Sequence, residues 1–282
     1  MSCYDLHSHS WVSDGTLSPT ELVHRAAAGG VGVLALTDHD DTAGCAEARQ
    51  AAVECGLTLL PGVEVSVTWQ AMTVHIVGLG VDPAAAELEA GLARLREFRD
   101  WRAHEIGRRL AERGIDGAYE GAAVLTRGRI ISRTHFAHYL VSRGCGKDVR
   151  EVFRHYLRRG KPGHVPGQWA SLEEAVGWIR AAGGVAVVAH PARYELTASK
   201  LRRLLGEFIE CGGEGMEIVS GSHSPDDVQT MARHARTLGL LASVGSDFHG
   251  PENPWVELGR LAPLPEGLTP VWQRWEAALG AA

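Results

Sequence analysis

The sequence predicts an α/β fold, with strands and helices alternating around one layer or barrel. Three observations carry the prediction. Apolar runs of strand length recur, notably Val31 to Thr37 and Val185 to Ala189, unbroken enough to be buried on both faces as in a parallel sheet. Stretches with helical spacing fill the intervals between them. Histidines and carboxylates gather where the apolar runs end.

Tyr4 and Leu6 read as a short first strand running into Asp5-Leu6-His7-Ser8-His9, with Asp14 close behind. Side chains at i and i+2 of a strand share a face, so His7 and His9 present two imidazoles to one point. Ser18-Pro19-Thr20-Glu21 is a helix start: Ser as N-cap, Pro in the first turn, Glu three residues on. That helix stops at Gly29-Gly30. The strand from Val31 ends at Asp38-His39-Asp40-Asp41. Asp38 is a candidate to orient an imidazole, and Asp40 and Asp41 serve equally as caps for a helix from Ala43 to Cys55. A strand from Leu57 to Leu60 reaches Gly62-Val63-Glu64, and a strand from Thr73 to Val77 contains His75.

From about Asp82 to Arg159 the texture is helical, charged and rich in Ala and Leu. Residues 82–163 are predicted as a helical insertion over a barrel domain made of 1–81 and 164–282. Arg94, Arg96, Arg99, Arg102, Arg108 and Arg109 are read as a solvated helix face. Alternation then resumes: a helix from Leu172 to Ala182, the strand Val185 to Ala189 running into His190, and a helix from Lys200 to Cys211. Next come the strand Gly215 to Val219, a helix from Pro225 to Leu238, and a last strand, Leu240 to Val244, ending at Gly245-Ser246-Asp247-Phe248-His249. A final amphipathic helix is expected to pack Trp272 and Trp275 into the core.

Composition narrows the class. A net charge of −6 gives no support for a sequence-independent grip on long duplex nucleic acid. Five cysteines, odd in number and without a Cys-x-x-Cys pair, read as free thiols of a reducing cytosol. No signal-like segment or membrane-length apolar run is present, so a cytoplasmic protein is expected. The compositional clue is the fourteen histidines. His7, His9, His39, Glu64, His190, Asp247 and His249 fall at or just beyond strand ends, and a closed parallel barrel would bring those ends to one mouth. Imidazoles and carboxylates gathered there call for a cation, and a divalent metal is the economical one.

The motifs His7-Ser8-His9 with Asp14, Thr37-Asp38-His39-Asp40, Gly62-Val63-Glu64, Val74-His75-Ile76-Val77-Gly78, Ala189-His190-Pro191 and Gly245-Ser246-Asp247-Phe248-His249 resemble, in order, those of the polymerase and histidinol phosphatase (PHP) family. Ser132-Arg133-Thr134-His135-Phe136-Ala137 looks like the insertion of one branch, the nucleoside 3′,5′-bisphosphate phosphatases and related 5′-to-3′ exoribonucleases. The resemblance implies a distorted (β/α)7 barrel holding three divalent ions. His7, His9, Glu64 and Asp247 would hold the first. Glu64 would bridge to a second held also by His75 and His190, and Asp14, His39 and His249 would hold the third. Manganese is the expected ion, with iron, zinc or magnesium fitting the same donors. Such a site would supply a metal-bridging hydroxide for phosphoester hydrolysis.

A bisphosphate needs further cations for its second phosphate. Arg133 and His135 are the candidate catalytic and substrate-binding pair, with Lys161 and His223 as further substrate contacts. Trp169 or Phe248 would either stack on a base or pack in the core. The expected substrates are small nucleotides or short 5′-phosphorylated RNA. Histidinol-phosphate phosphatase and a non-catalytic metal-binding scaffold are the alternatives, and oligomeric state is left open.

Overall fold

The apolar runs become strands, and the strands close on themselves. The structure, a computed structural model, describes residues 3–275. Among these, β1 (Cys3–Asp5), β2 (Val31–Leu36), β3 (Thr58–Trp69), β4 (Met72–Leu79), β5 (Val185–Val188), β6 (Gly215–Ser220) and β7 (Leu241–Gly245) form one seven-stranded sheet in sequence order. The backbone beyond β1 reaches β7: Leu6 N–H donates to the Val244 carbonyl at 3.0 Å, and His9 N–H to Phe248 at 2.9 Å. These bonds make a nearly closed barrel of the sheet.

One expectation is corrected here. The barrel is not all parallel: β4 runs antiparallel to both β3 and β5. β3 does not stop near Leu60 but continues to Trp69, and a two-residue turn at Gln70-Ala71 starts its return. Both turn residues have positive φ, 46° and 61°, the handedness that lets two twisted strands join tightly. The long hairpin still serves the site through its period of two. Val63, Val65, Val67 and Trp69 on β3, with Val74 and Ile76 on β4, enter the apolar core. Glu64 and Ser66, with Thr73 and His75, face the cavity instead.

Helices cover the outside. α1 (Pro19–Ala28) starts as expected, with a Ser18–Glu21 capping box. α2 (Cys45–Cys55) follows β2. α3 (Ala86–Ala111) is 26 residues long and spans two cores. Its Leu88, Leu92 and Leu95 pack with the barrel and with α7 (Leu172–Ala181). Its Ala103, Ile106 and Leu110 join a separate cluster with α4 (Ala118–Leu125) and α5 (Arg133–Ser142). A short α6 (Val149–Val152) runs on into a π-turn over Phe153–Leu157. α8 (Ala198–Glu210) and α9 (Pro225–Leu238) complete the outer layer. Trp272 stacks on Tyr4 at 4.2 Å near the foot of the barrel, as expected of a core residue. The expected final helix with Trp272 and Trp275 falls in part on residues 276–282, which lie outside the described residues. No helix of the described residues is long and apolar enough to cross a membrane.

Where α3 crosses α7 the fit is tight: a Cβ on Gly91 would lie 2.4 Å from the Trp178 ring. Gly91→Ala should therefore lower stability by about 1–3 kcal/mol despite the better helix propensity of Ala. Urea unfolding checks this, and an unchanged midpoint would mean that the contact is loose.

Candidate metal centre and active site

The barrel mouth gathers the expected residues. Glu64, fully buried on β3, is the hub. Its Oε2 lies 2.8 Å from His39 Nδ1 and 3.4 Å from both His7 Nε2 and His9 Nε2. Its Oε1 lies 2.8 Å from His75 Nδ1 and 3.0 Å from His190 Nε2. Asp247 Oδ1 stands 3.2 Å from His9 and 3.5 Å from His7. Asp14 Oδ1 stands 3.3 Å from His249 Nε2 and 3.8 Å from His39 Nε2. Three overlapping groups have ligand atoms close enough to share a cation: His7, His9, Glu64 and Asp247; His39, Glu64 and His75; and Asp14, His39 and His249 together with His9.

The chemistry of these atoms fits a cation. His7 Nδ1 donates to the Glu217 carboxylate at 2.7 Å, which turns the His7 Nε2 lone pair inward. That lone pair meets His9 Nε2 at 3.1 Å, an approach of two ring nitrogens that needs a proton or a metal between them. Asp14 Oδ1, Glu64 Oε2, His39 Nδ1 and His75 Nδ1 are buried without a hydrogen-bond partner. Burial, followed by the closeness of His249, pushes His9 down to about 3. Burial likewise pushes His75 down to about 4. Both are neutral imidazoles at neutral pH, the form that binds metal. Burial alone would raise Asp14, Glu64 and Asp247, but the imidazoles around them hold all three well below the usual carboxylate range.

Backbone strain helps aim the donors. His190 and Asp247, with Asp40 beside His39, have φ of 29°, 57° and 49°, rare for residues with a side chain. Each is tied down. His190 N–H donates to Glu217 Oε2 at 2.5 Å, Asp247 N–H to the His7 carbonyl at 2.9 Å, and Asp40 N–H to the Glu64 carbonyl at 3.0 Å.

A cavity of about 280 Å³ opens onto this cluster, lined on its other side by Arg99, Arg102, Arg133, Trp169 and Arg193. The expectation of a solvated arginine face on α3 is corrected for two of its members: Arg99 and Arg102 are buried. Arg99 donates to Asp40 Oδ2 at 2.6 Å and to Ser66 Oγ at 2.9 Å. Arg102 donates only to the Val165 carbonyl, at 3.1 Å, while Arg133 lies over the Phe153 ring. Neither Arg102 nor Arg133 has an ion-pair partner among the described residues. Burial first, then the neighbouring guanidiniums, pushes both down. Because a guanidinium stays charged in proteins, groups placed this way are suited to an anion.

The other sequence candidates lie elsewhere. His135 Nδ1 accepts from Ser132 N–H at 3.0 Å as part of the α5 capping box, and its ring faces a second cavity. Lys161 is exposed in a turn, away from the cavity lining. His223 Nδ1 donates to the Ile218 carbonyl at 3.0 Å and does not line the cavity either. Asp38 orients no imidazole; it accepts from Ser10 and Ser13, shaping the loop that carries Asp14. Asp41 accepts from Ala43 N–H ahead of α2 as a cap would, whereas Asp40 serves Ser66 and Arg99. Of the two aromatics, Phe248 is core and Trp169 lines the cavity.

Sequence reasoning passed over Glu217, Arg99, Arg102 and Arg193. Two of these signals were present. Glu217 is a carboxylate inside an apolar strand, as Glu64 is, and Arg99 and Arg102 continue the stripe Leu88, Leu92, Leu95 at helical spacing. Arg193, which donates to Asp247 Oδ2 at 2.7 Å, has no comparable signal.

The chain matches the PHP domain family over residues 5–165. It is 52% identical over 280 residues to the 3′,5′-nucleoside bisphosphate phosphatase of Chromobacterium violaceum, covering 99% of this chain and 98% of that protein. It is 47% identical over 275 residues to the 5′-3′ exoribonuclease Rnm of Escherichia coli, covering 97% and 94%. The solved structure of a protein from Bifidobacterium adolescentis, described as a putative metal-dependent phosphoesterase, superposes with a TM-score of 0.81 at 29% identity, covering 98% and 95%. This protein belongs to the PHP family of metal-dependent phosphoesterases.

Glu217 offers a test of the site. Glu217→Gln, which keeps the size but weakens the hold on His7, should reduce divalent-metal affinity about 10- to 100-fold while leaving the far-UV spectrum unchanged. Titration with Mn²⁺ followed by calorimetry measures it, and unchanged affinity would remove Glu217 from the centre.

Proposed function

We propose that this PHP-family hydrolase removes the 3′-phosphate from nucleoside 3′,5′-bisphosphates, giving 5′-nucleotides, and trims short 5′-phosphorylated RNA by the same chemistry. One observation carries the reading. A single cavity has the carboxylate–imidazole cluster on one side and the unpaired guanidiniums of Arg102 and Arg133 on the other. A substrate with two separated phosphates fits those two poles. The similarity to the Chromobacterium and Escherichia enzymes supports it.

In this reading the nine residues His7, His9, Asp14, His39, Glu64, His75, His190, Asp247 and His249 hold three divalent ions, manganese by preference. Bound ions would acidify water and neutralise charge on the scissile phosphate. The chain's own residues do the rest. Glu217 fixes the His7 ring, and Arg193 and His7 backbone bonds fix Asp247. Arg102 and Arg133 take the 5′-phosphate, with Arg99 held beside them by Asp40. Trp169, edge-on to Phe98 and with the Arg99 and Arg102 guanidiniums 5.0 and 5.3 Å from its ring centre, offers its ring to the nucleoside. Residues 82–163 act as the insertion that supplies the arginine side, on a barrel of 1–81 and 164–282. Histidinol phosphate fits less well, because its protonated amine would face guanidiniums. A scaffold would not need arginines without ion-pair partners, one of them buried, facing the cluster.

Two outcomes are expected. Arg102→Ala or Arg133→Ala should raise KM for adenosine 3′,5′-bisphosphate about tenfold or more, the scale of a lost charged hydrogen bond, and change kcat/KM for 3′-AMP little. Equal losses on both substrates would detach the arginines from the second phosphate. Chelation should abolish hydrolysis and lower Tm, with Mn²⁺ restoring both; activity that survives chelation would refute the metal-dependent reading.

A further inference from the structure

A second cavity, of about 330 Å³, adjoins the first. Asp14 and Thr134 line both, and Thr134 Oγ1 donates to Asp14 Oδ2 at 3.1 Å, so this pair forms the shared wall. The other oxygen of Asp14 belongs to the cluster with His39 and His249. A phosphate held there borders both cavities. The first turn of α5 divides them: Arg133 faces the first and His135 the second.

The lining of the second cavity differs from that of the first. It includes Trp11, half-buried, with the Arg127 guanidinium 5.3 Å from its ring centre, and the rings of His135 and His138. Arg127 is exposed and has no ion-pair partner among the described residues. Glu252 adds one carboxylate at the rim. An indole beside a guanidinium and two imidazoles is a surface for a base and a phosphate.

Bond chemistry says what belongs there. In a bisphosphate and in an RNA end alike, water attacks phosphorus, the P–O3′ bond breaks, and the 3′-oxygen leaves with a proton. The difference is that the RNA phosphate keeps its ester to the next nucleotide. The first cavity is then filled by the 5′-terminal nucleotide with its 5′-phosphate on the arginines. The next nucleotide must leave on another side of the scissile phosphate.

We propose that the Trp11–Arg127 cavity is the subsite for the second nucleotide of a 5′-phosphorylated RNA, the base stacking on Trp11 and the following phosphate meeting Arg127. This rests on the reading of the first cavity given above. The test compares adenosine 3′,5′-bisphosphate, 5′-phosphorylated ApA and 5′-phosphorylated ApApA, with the manganese enzyme. Trp11→Ala should lower kcat/KM for the dinucleotide roughly tenfold or more, the scale of one lost base stack. Trp11→Phe should restore most of it, and bisphosphate hydrolysis should stay within about twofold of the unmodified enzyme. Arg127→Ala should slow the trinucleotide, which has the following phosphate, more than the dinucleotide.

Parallel losses on the bisphosphate and the oligonucleotides in both Trp11→Ala and Arg127→Ala would make the cavity structural and overturn the subsite. Unchanged oligonucleotide hydrolysis in both variants would overturn it too, since the chain would then leave by another route. Failure of the unmodified enzyme on the bisphosphate alone would strike the first-cavity reading, and its failure on the oligonucleotides alone would strike this one.

Discussion

Glu64 is the residue on which the rest of the site depends. It is buried, it is an anion, and it touches His7, His9, His39, His75 and His190. An isolated carboxylate in that position would cost several kcal/mol of lost hydration. The imidazoles relieve it only in part: burial keeps His9 and His75 neutral, while His7 and His39, against the pull of burial, are pushed up by the carboxylates beside them. A shared cation resolves both demands, because it satisfies the carboxylate and uses the lone pairs that the neutral rings present. The fold supports this one requirement from behind: Glu217 steers His7, and Asp38 shapes the loop that brings in Asp14.

In the proposed function, the carboxylate–imidazole cluster and the arginines make two poles of one cavity. The cluster comes from the barrel's strands and the loops that follow them. Arg99 and Arg102 come from the middle of α3, at the point where that helix passes from the barrel's core to the core of 103–165. One continuous helix therefore fixes the separation of the two poles. Substrate length would then be set by helix packing rather than by a loop, a stiffer ruler.

Two features of the chain escape its local pattern, each for its own reason. Gln70-Ala71 lacks the Gly or Asn that marks a tight hairpin, so the antiparallel β3–β4 pair was hidden in what looked like separate runs. Its consequence is benign, because an antiparallel strand brings its early residues to the mouth where a parallel one would bring its late ones. His75 reaches the cluster for that reason, from within a strand rather than from its end. Arg99 and Arg102 were hidden differently: arginines on a helix are solvated in most proteins, and only the stripe they continue marks them as buried.

The sequence by itself determined the barrel's strand–helix order, the cap of α1, and the histidines and carboxylates that gather at the mouth, because these depend on local patterning and on where apolar runs end. Tertiary structure alone decided which nitrogen of His7 turns inward, that Asp38 serves a loop rather than a ring, and that His135 is drawn into a cap. It also decided that two helix arginines face a cavity while Lys161 faces water. Each of these depends on a partner far away in the chain, and pairwise distance in space is the one quantity that a linear pattern does not encode.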